Sequence, residues 1–164
     1  MRDIILIAHN LRSCHNVGSL LRTAEGLGAS KVLLTGYTPY PMSADDDRLP
    51  HLAQKINKQI SKTALGAEQS VAWEHHTEVL PVLEQLHARA FTITAVEQTA
   101  NSVQLPQYRP PEKLVLLVGR EVEGVEQAVL AACDLALEIP MFGQKESFNV
   151  VQAAAMALYH CRFA

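Results

Sequence analysis

Two runs of this sequence, DIILIA at Asp3–Ala8 and LVLLV at Leu114–Val118, are apolar with almost no alternation. A strand open to water on one face alternates apolar and polar residues. An unbroken run marks a strand covered on both faces, as in a parallel sheet. Parallel strands need long crossover connections. The chain supplies them, because stretches with helical periodicity separate these runs from further strand-like segments at Lys31–Thr35, Phe91–Val96 and Leu137–Ile139. The expectation is one α/β domain over residues 1–164, with a mainly parallel sheet flanked by helices. That length is sufficient for a real core.

The first helix is well marked. Val17, Leu20, Leu21, Ala24 and Leu27 recur at helical spacing, Asn16 is a natural N-cap and Gly28 a natural stop. Arg22 falls off the apolar stripe and points to solvent or to a cleft. A second helix is expected from about Leu49 to Ile60. Lys55, Lys58 and Lys62 share one face there, with Arg48 and His51 near by. Such a stripe reads either as a solvated face or as a patch that contacts phosphates. Val71–Glu74 reads as a short strand with Trp73 as packing, and Thr77–Arg89 as a helix. His75 and His76 are adjacent, point in different directions and make a poor metal pair. Glu97–Lys113 is a long connection with three prolines, Pro106, Pro110 and Pro111, of a length that is often functional. After Leu114–Val118, GREVEGVEQ forms a Gly-bounded loop that opens a helix over about Glu123–Ala132. It has neither GxGxxG nor a Walker pattern.

The C-terminal stretch closes the domain. Pro140 stops the strand at Leu137–Ile139, Gly143 lets the loop turn, and Ser147 is a plausible N-cap. From Phe148 to Tyr159 nearly every side chain is apolar and many are Ala. A helix of that kind must be covered on more than one side, by its own domain or by a second subunit. Asn149 is the polar exception in its first turn, read either as a helix-start hydrogen bond or as part of a site at the helix mouth.

Composition narrows the classes. No apolar run approaches the ~20 residues a membrane span needs, and the N-terminus MRDIILIAHN lacks a signal-peptide pattern. Cys14, Cys133 and Cys161 are odd in number and form no CxxC, which argues against a disulfide framework and zinc and for a reducing, cytoplasmic setting. With a formal net charge of −3, any RNA site must be a local basic patch.

NVGSLLRTAEGLGA at Asn16–Ala29, LVLLVGREVEGV at Leu114–Val125 and IPMFGQKESFNVVQAAA at Ile139–Ala155 resemble, in order and spacing, the three motifs of the SpoU (TrmH-like) RNA ribose 2′-O-methyltransferases. KTALGAE at Lys62–Glu68 is similar to a further segment of that family, so the resemblance covers essentially the whole chain. It implies a SPOUT fold whose C-terminal segment is threaded into a deep trefoil knot, an exception to the usual rules of chain connection. It implies S-adenosyl-L-methionine held by backbone groups of the loop beginning at Gly119, of Ile139–Met141 and of the turn ending at Phe148, where the family usually has Leu. It also implies a homodimer with the active site built across the interface. Five motif residues carry over. Arg22 orients the ribose and its phosphate, Asn16 holds Arg22 or nearby backbone, Glu121 orders the second-motif loop, and Ser147 and Asn149 face the reacting ribose.

The implied activity is methyl transfer to a ribose 2′-hydroxyl of tRNA or rRNA. The chain reads as a bare catalytic domain, which favours tRNA, recruited by the Lys55–Lys62 face. Two other readings stand beside it. One is a non-enzymatic RNA-binding or ribosome-assembly module that keeps the fold. The other is a flavodoxin-like domain, for which neither a phosphate loop nor an aromatic flavin clamp is present.

Overall fold

The structure, a computed structural model, describes residues 1–164. In chain order its elements are β1 (Asp3–His9), α1 (Cys14–Gly26), β2 (Lys31–Thr35), α2 (Pro50–Ala64), α3 (Ala67–Ser70), β3 (Trp73–His76), α4 (Val79–Ala88), β4 (Thr92–Val96), β5 (Val103–Gln104), a 3₁₀ turn (Leu105–Gln107), β6 (Lys113–Val118), α5 (Gln127–Ala131), β7 (Leu135–Glu138) and α6 (Val150–Phe163). The seven strands form one sheet in the order β3-β2-β1-β6-β4-β7-β5, and every neighbouring pair is parallel. The expected mainly parallel α/β architecture is therefore the observed one.

The two unbroken apolar runs pair at the centre of the sheet, with Asp3–Ala8 in register with Lys113–Val118. Successive side chains go to opposite faces. Ile4, Leu6, Leu114 and Leu116 enter a core shared with α1 and α6, while Ile5, Ile7, Val115 and Leu117 enter a second core under α4 and α5. Both faces are covered, which is why these strands show no alternation. Each fully buried Leu or Ile contributes ~1.5–3 kcal/mol relative to exposure.

β7 lies between β4 and β5, although β5 follows β4 directly in the chain. The connection from β4 to β6 carries β5 and the 3₁₀ turn, so it passes outside the last strand. A late strand thus lies between two earlier ones, as β6 also does between β1 and β4.

Several helix boundaries differ from the sequence expectation. α1 begins at Cys14, with Ser13 as its cap; the Ser13 hydroxyl accepts from the Asn16 N–H at 3.1 Å. Asn16 is not the cap, because its carboxamide is turned to Glu121. Likewise α6 starts at Val150 with Asn149 as cap, its Oδ1 accepting from the Val151 N–H at 2.9 Å, and Ser147 is not the cap. α5 is shorter than Glu123–Ala132 because Arg120 and Gly124 exchange two backbone hydrogen bonds that hold the preceding residues in a turn. α2 runs past Ile60 to Ala64 and ends where Leu65 adopts a left-handed φ of 52°. The final strand is Leu135–Glu138 rather than Leu137–Ile139, since its pairing with β4 begins at Leu135.

α1 and α2 cross backbone to backbone at Gly18. A Cβ there would lie 2.2 Å from the Ile60 carbonyl oxygen, so only glycine admits this approach. The Thr63 hydroxyl, donating to the His15 carbonyl at 2.7 Å, ties the crossing. α6 buries Ala154, Ala157, Leu158 and Cys161 against the rest of the chain, while Tyr159 and Phe163 remain exposed. Arg162 fixes its end by donating to the carbonyls of Leu27, Arg2 and Gly28.

Candidate active site

In an open parallel sheet the crevice for ligands lies beyond the carboxyl ends of the strands. Here β4, β6 and β7 end at Val96, Val118 and Glu138, and a cavity of about 770 Å³, including its mouth, opens there. Its lining includes Gly119, Glu121, Ile139, Met141, Ser147 and Phe148. Four of these are the residues expected to hold a cofactor, and two belong to the expected catalytic set. Segments far apart in the sequence thus meet at one place.

The loop after β6 is built by close contacts. A Cβ on Gly119 would lie 2.7 Å from Val125 Cγ2 and 2.8 Å from the Gly124 carbonyl. Gly124 has φ +70°, and a Cβ there would meet the Glu97 carboxylate at 2.2 Å. Glu97, at the end of β4, accepts from the Val125 N–H at 3.1 Å and from the Gln98 N–H at 3.0 Å. It therefore clamps the turn from the cavity side.

Glu121 reaches the other way. Its Oε1 accepts from the N–H groups of Arg12 and Ser13, each at 3.2 Å, and from Asn16 Nδ2 at 3.4 Å. A carboxylate at unpaired N–H groups of a helix start is favoured by the helix dipole as well as by hydrogen bonding. The first and second motifs are joined through this contact. Asn16 holds Glu121 and makes no hydrogen bond to Arg22.

A third carboxylate was not legible in the sequence. Glu126 accepts from His9 Nε2 at 2.9 Å and from Asn10 Nδ2 at 2.8 Å, and His9 Nδ1 meets the Thr35 hydroxyl at 2.9 Å. A proton on Nε2 given to Glu126, with the Thr35 hydroxyl donating to Nδ1, satisfies all of these groups. Burial works against the Glu126 charge, but the hydrogen bonds from His9 and Asn10 outweigh it and hold the carboxyl below its ordinary pKa. Glu97, His9 and Glu126 carry no periodic or motif signal. The one hint is that Glu97 directly follows a strand, at the carboxyl end where sites form.

Of the other expected residues, Arg22, Asn149 and the three lysines do not line the cavity. Arg22 is exposed on α1, makes no hydrogen bond or ion pair in the chain and does not line the cavity. Asn149 uses its carboxamide oxygen as the α6 cap, while Nδ2 has no partner. Ser147 lies in the cavity wall with its hydroxyl unpartnered. Lys55, Lys58 and Lys62 are exposed on α2, a helix without an acidic residue, away from the cavity. Arg48 does not extend their stripe. It is bound to Asp46, donates to the carbonyls of Tyr40 and Pro41, and covers the Tyr40 ring at 3.7 Å. His75 and His76 turn to different partners, the Gly36 carbonyl and Glu74.

Fold and cavity define an α/β protein with a ligand crevice at the carboxyl ends of a parallel sheet, walled by two of three ordered motifs and tied to the third. Residues 3–159 match the SpoU rRNA Methylase family, and the chain belongs to that family. It is 34% identical over 161 residues to the tRNA (guanosine(18)-2′-O)-methyltransferase TARBP1 of Mus musculus, a match covering 95% of this chain and 9% of that protein. Its fold is shared with the SpoU methyltransferase AviRb from Streptomyces viridochromogenes in complex with the cofactor AdoMet, at TM-score 0.80 and 21% identity over 99% of this chain and 58% of that one. A structure described as giving insight into the 2-OH methylation of C/U34 on tRNA is 25% identical, with TM-score 0.78 over 98% of this chain and 94% of that one. The chain spans little more than half the length of the bacterial curated relatives it matches.

Proposed function

We propose that this protein is an S-adenosyl-L-methionine-dependent methyltransferase acting on a ribose 2′-hydroxyl of RNA, with tRNA as the first substrate to test and rRNA as the second. The observation that supports this most is the convergence of second- and third-motif residues on one cavity, with the first motif tied to it by Glu121. The name of the mouse relative and the tRNA-directed structure of nearly equal length favour tRNA.

The cavity suits the methyl donor. Val96, Val118, Ile139 and Phe148 give apolar walls for a flat base, and the glycine-limited turn at Gly119 brings backbone N–H and C=O groups within reach of it. Phe148 stands where Leu is usual in the family; it is half-exposed and offers a ring face. S-adenosyl-L-methionine supplies an electrophilic methyl group on a sulfonium sulfur. The protein must hold the ribose hydroxyl behind that methyl group, and positioning of this kind can supply much of the rate.

In this reading Arg22 grips the phosphate next to the target ribose. Its guanidinium stays protonated and suits bidentate phosphate contact, so it orients rather than serves as an unaided base. Because Arg22 does not line the cavity of its own subunit, the reading includes a homodimer in which it serves the second copy. The partly uncovered face of α6 is the apolar surface available for such pairing. Ser147 Oγ and Asn149 Nδ2 are free to contact the ribose. Lys55, Lys58 and Lys62 form the RNA-guiding stripe. The three cysteines are unpaired, which fits a cytoplasmic setting. The trefoil knot completes this reading.

The test begins with calorimetric titration of the purified protein with S-adenosyl-L-methionine and its demethylated product, with and without bulk tRNA. Binding near one per subunit, followed by one 2′-O-methyl mark missing from RNA of a deletion strain, is the expected result. No binding under either condition by well-folded protein would return the chain to the non-enzymatic RNA-binding reading.

A further inference from the structure

A second groove opens beside the donor cavity and shares Gln98, Glu138, Ile139 and Met141 with it. Its remaining walls include Gln104, Pro106, Pro140 and Phe142. We propose that this groove is a nucleobase subsite for the RNA substrate, with Phe142 as its stacking platform and Gln98 and Gln104 reading the base edge. The proposal rests on the RNA methyltransferase reading above and adds to it where the RNA is recognised.

Phe142 is the first observation. It is fully exposed, unlike the chain's other three phenylalanines, and projects from the third-motif loop between Pro140 and Gly143. Its ring face is free, and unstacked RNA bases are regularly received on such rings. The second observation is the chemistry around it. The Gln98 and Gln104 side chains are exposed and make no hydrogen bonds in the subunit, so both carboxamides can donate and accept. Glu138 is already fixed, because its Oε2 accepts from the Ser102 hydroxyl at 2.6 Å; its Oε1 is left to accept from a base N–H.

The groove holds a carboxylate and no Lys or Arg, so it does not suit a phosphate. Phosphates are left to Arg22 and the α2 lysines. Pro106 and Pro140 add walls of fixed φ that keep the slot in shape. Both pockets share the start of the third motif, so a base seated here belongs to the RNA segment whose ribose is presented to the donor cavity.

The experiment uses the full chain, tritiated S-adenosyl-L-methionine, and unfractionated tRNA and total rRNA from a deletion strain. Phe142→Ala, Phe142→Leu and Phe142→Trp are compared for donor affinity, oligomeric state by sedimentation, and KM and kcat for RNA. The expected result for Phe142→Ala is a rise of about tenfold in KM for RNA with donor affinity and oligomeric state unchanged, the size expected from one lost base–aromatic stack. Trp is expected to restore the KM and Leu to restore little of it.

An unchanged KM in Phe142→Ala overturns the proposal. So does restoration by Leu equal to that by Trp, or a shift to monomer, which would place the ring against a second subunit. Loss of donor affinity overturns it too and assigns the groove to the donor. If the wild-type protein methylates neither RNA and binds no donor, the underlying reading fails and the subsite with it. The two failures are distinct, because in the former the wild type still methylates.

Discussion

Gly119→Ala tests the loop that walls the cavity. Gly119 has an ordinary backbone angle, so an alanine there is not strained by its φ. The conflict is one of space. The added methyl would lie 2.7 Å from Val125 Cγ2 and 2.8 Å from the Gly124 carbonyl carbon and oxygen, against ordinary contact from 3.4 Å. The shortfalls are 3.4 − 2.7 = 0.7 Å and 3.4 − 2.8 = 0.6 Å. A rotamer change of Val125 can relieve the first but not the second, because the Gly124 atoms are backbone, paired twice with Arg120 and held next to Val125, whose N–H Glu97 clamps. Overpacking of this kind costs ~1–3 kcal/mol. Loss of glycine's freedom in the unfolded chain returns ~0.4–1 kcal/mol. The two together leave a destabilisation of about 0–2.6 kcal/mol, or a fall in Tm of up to about 10 °C for a chain of this size. The larger effect falls on the cavity, whose wall must move by more than half an ångström. Affinity for S-adenosyl-L-methionine is expected to drop about tenfold or more, as one lost contact-scale interaction gives. Thermal unfolding and calorimetric titration are read side by side. Gly143→Ala is the control for stability, because a Cβ there meets nothing within 4 Å. A Gly119→Ala protein as stable as the wild type, with undiminished donor affinity, would refute the reasoning.

Arg22→Ala is expected to abolish methylation, by about 100-fold or more if positioning is its role, while Tm and donor affinity stay near wild type because Arg22 has no partner in the subunit; loss of donor affinity would show the role misplaced. Replacing Lys55, Lys58 and Lys62 by Glu should weaken RNA binding and flatten its salt dependence by about two to three in the log–log slope; an unchanged slope would return the stripe to a solvated face. Glu126→Gln addresses pH. The folded carboxyl titrates below its ordinary value of 4.5, so its stabilisation is fully present above that pH and is lost as pH falls through the lower folded value. Urea midpoints of Glu126→Gln should therefore lie below wild type at neutral pH, with the gap closing in acid; a gap independent of pH would contradict the assignment.

The parts of this protein set by local pattern were legible in the sequence. Unbroken apolar runs can be satisfied only by cover on both faces, so Asp3–Ala8 and Leu114–Val118 announced a parallel sheet before any contact was known. The stripe of α1 followed from helical period, and the three ordered motifs carried the family and the six expected site residues that line the cavity. Boundaries were legible only to the extent that local hydrogen bonds decide them. Asn16 looked like a cap because nothing in its neighbourhood competes for its side chain. Its competitor, Glu121, is 105 positions away in the chain.

Tertiary structure alone brought in Glu97 and Glu126 and decided what Glu121, already marked by the second motif, binds. Glu97, Glu121 and Glu126 sit in one short arc of the fold and grip the second-motif turn, the start of α1 and the end of β1. No spacing predicts this, because each bond closes across the sheet between segments brought together by folding. Gly18 shows the same division in one residue. The sequence placed it on a helix, where glycine costs ~1 kcal/mol relative to alanine. Only the crossing of α1 on the Ile60–Ala64 backbone gives the reason it is there. Periodicity is a property of the chain and can be read along it. Close approach and shared hydrogen bonds are properties of pairs of segments, and the sequence does not record which pairs will meet.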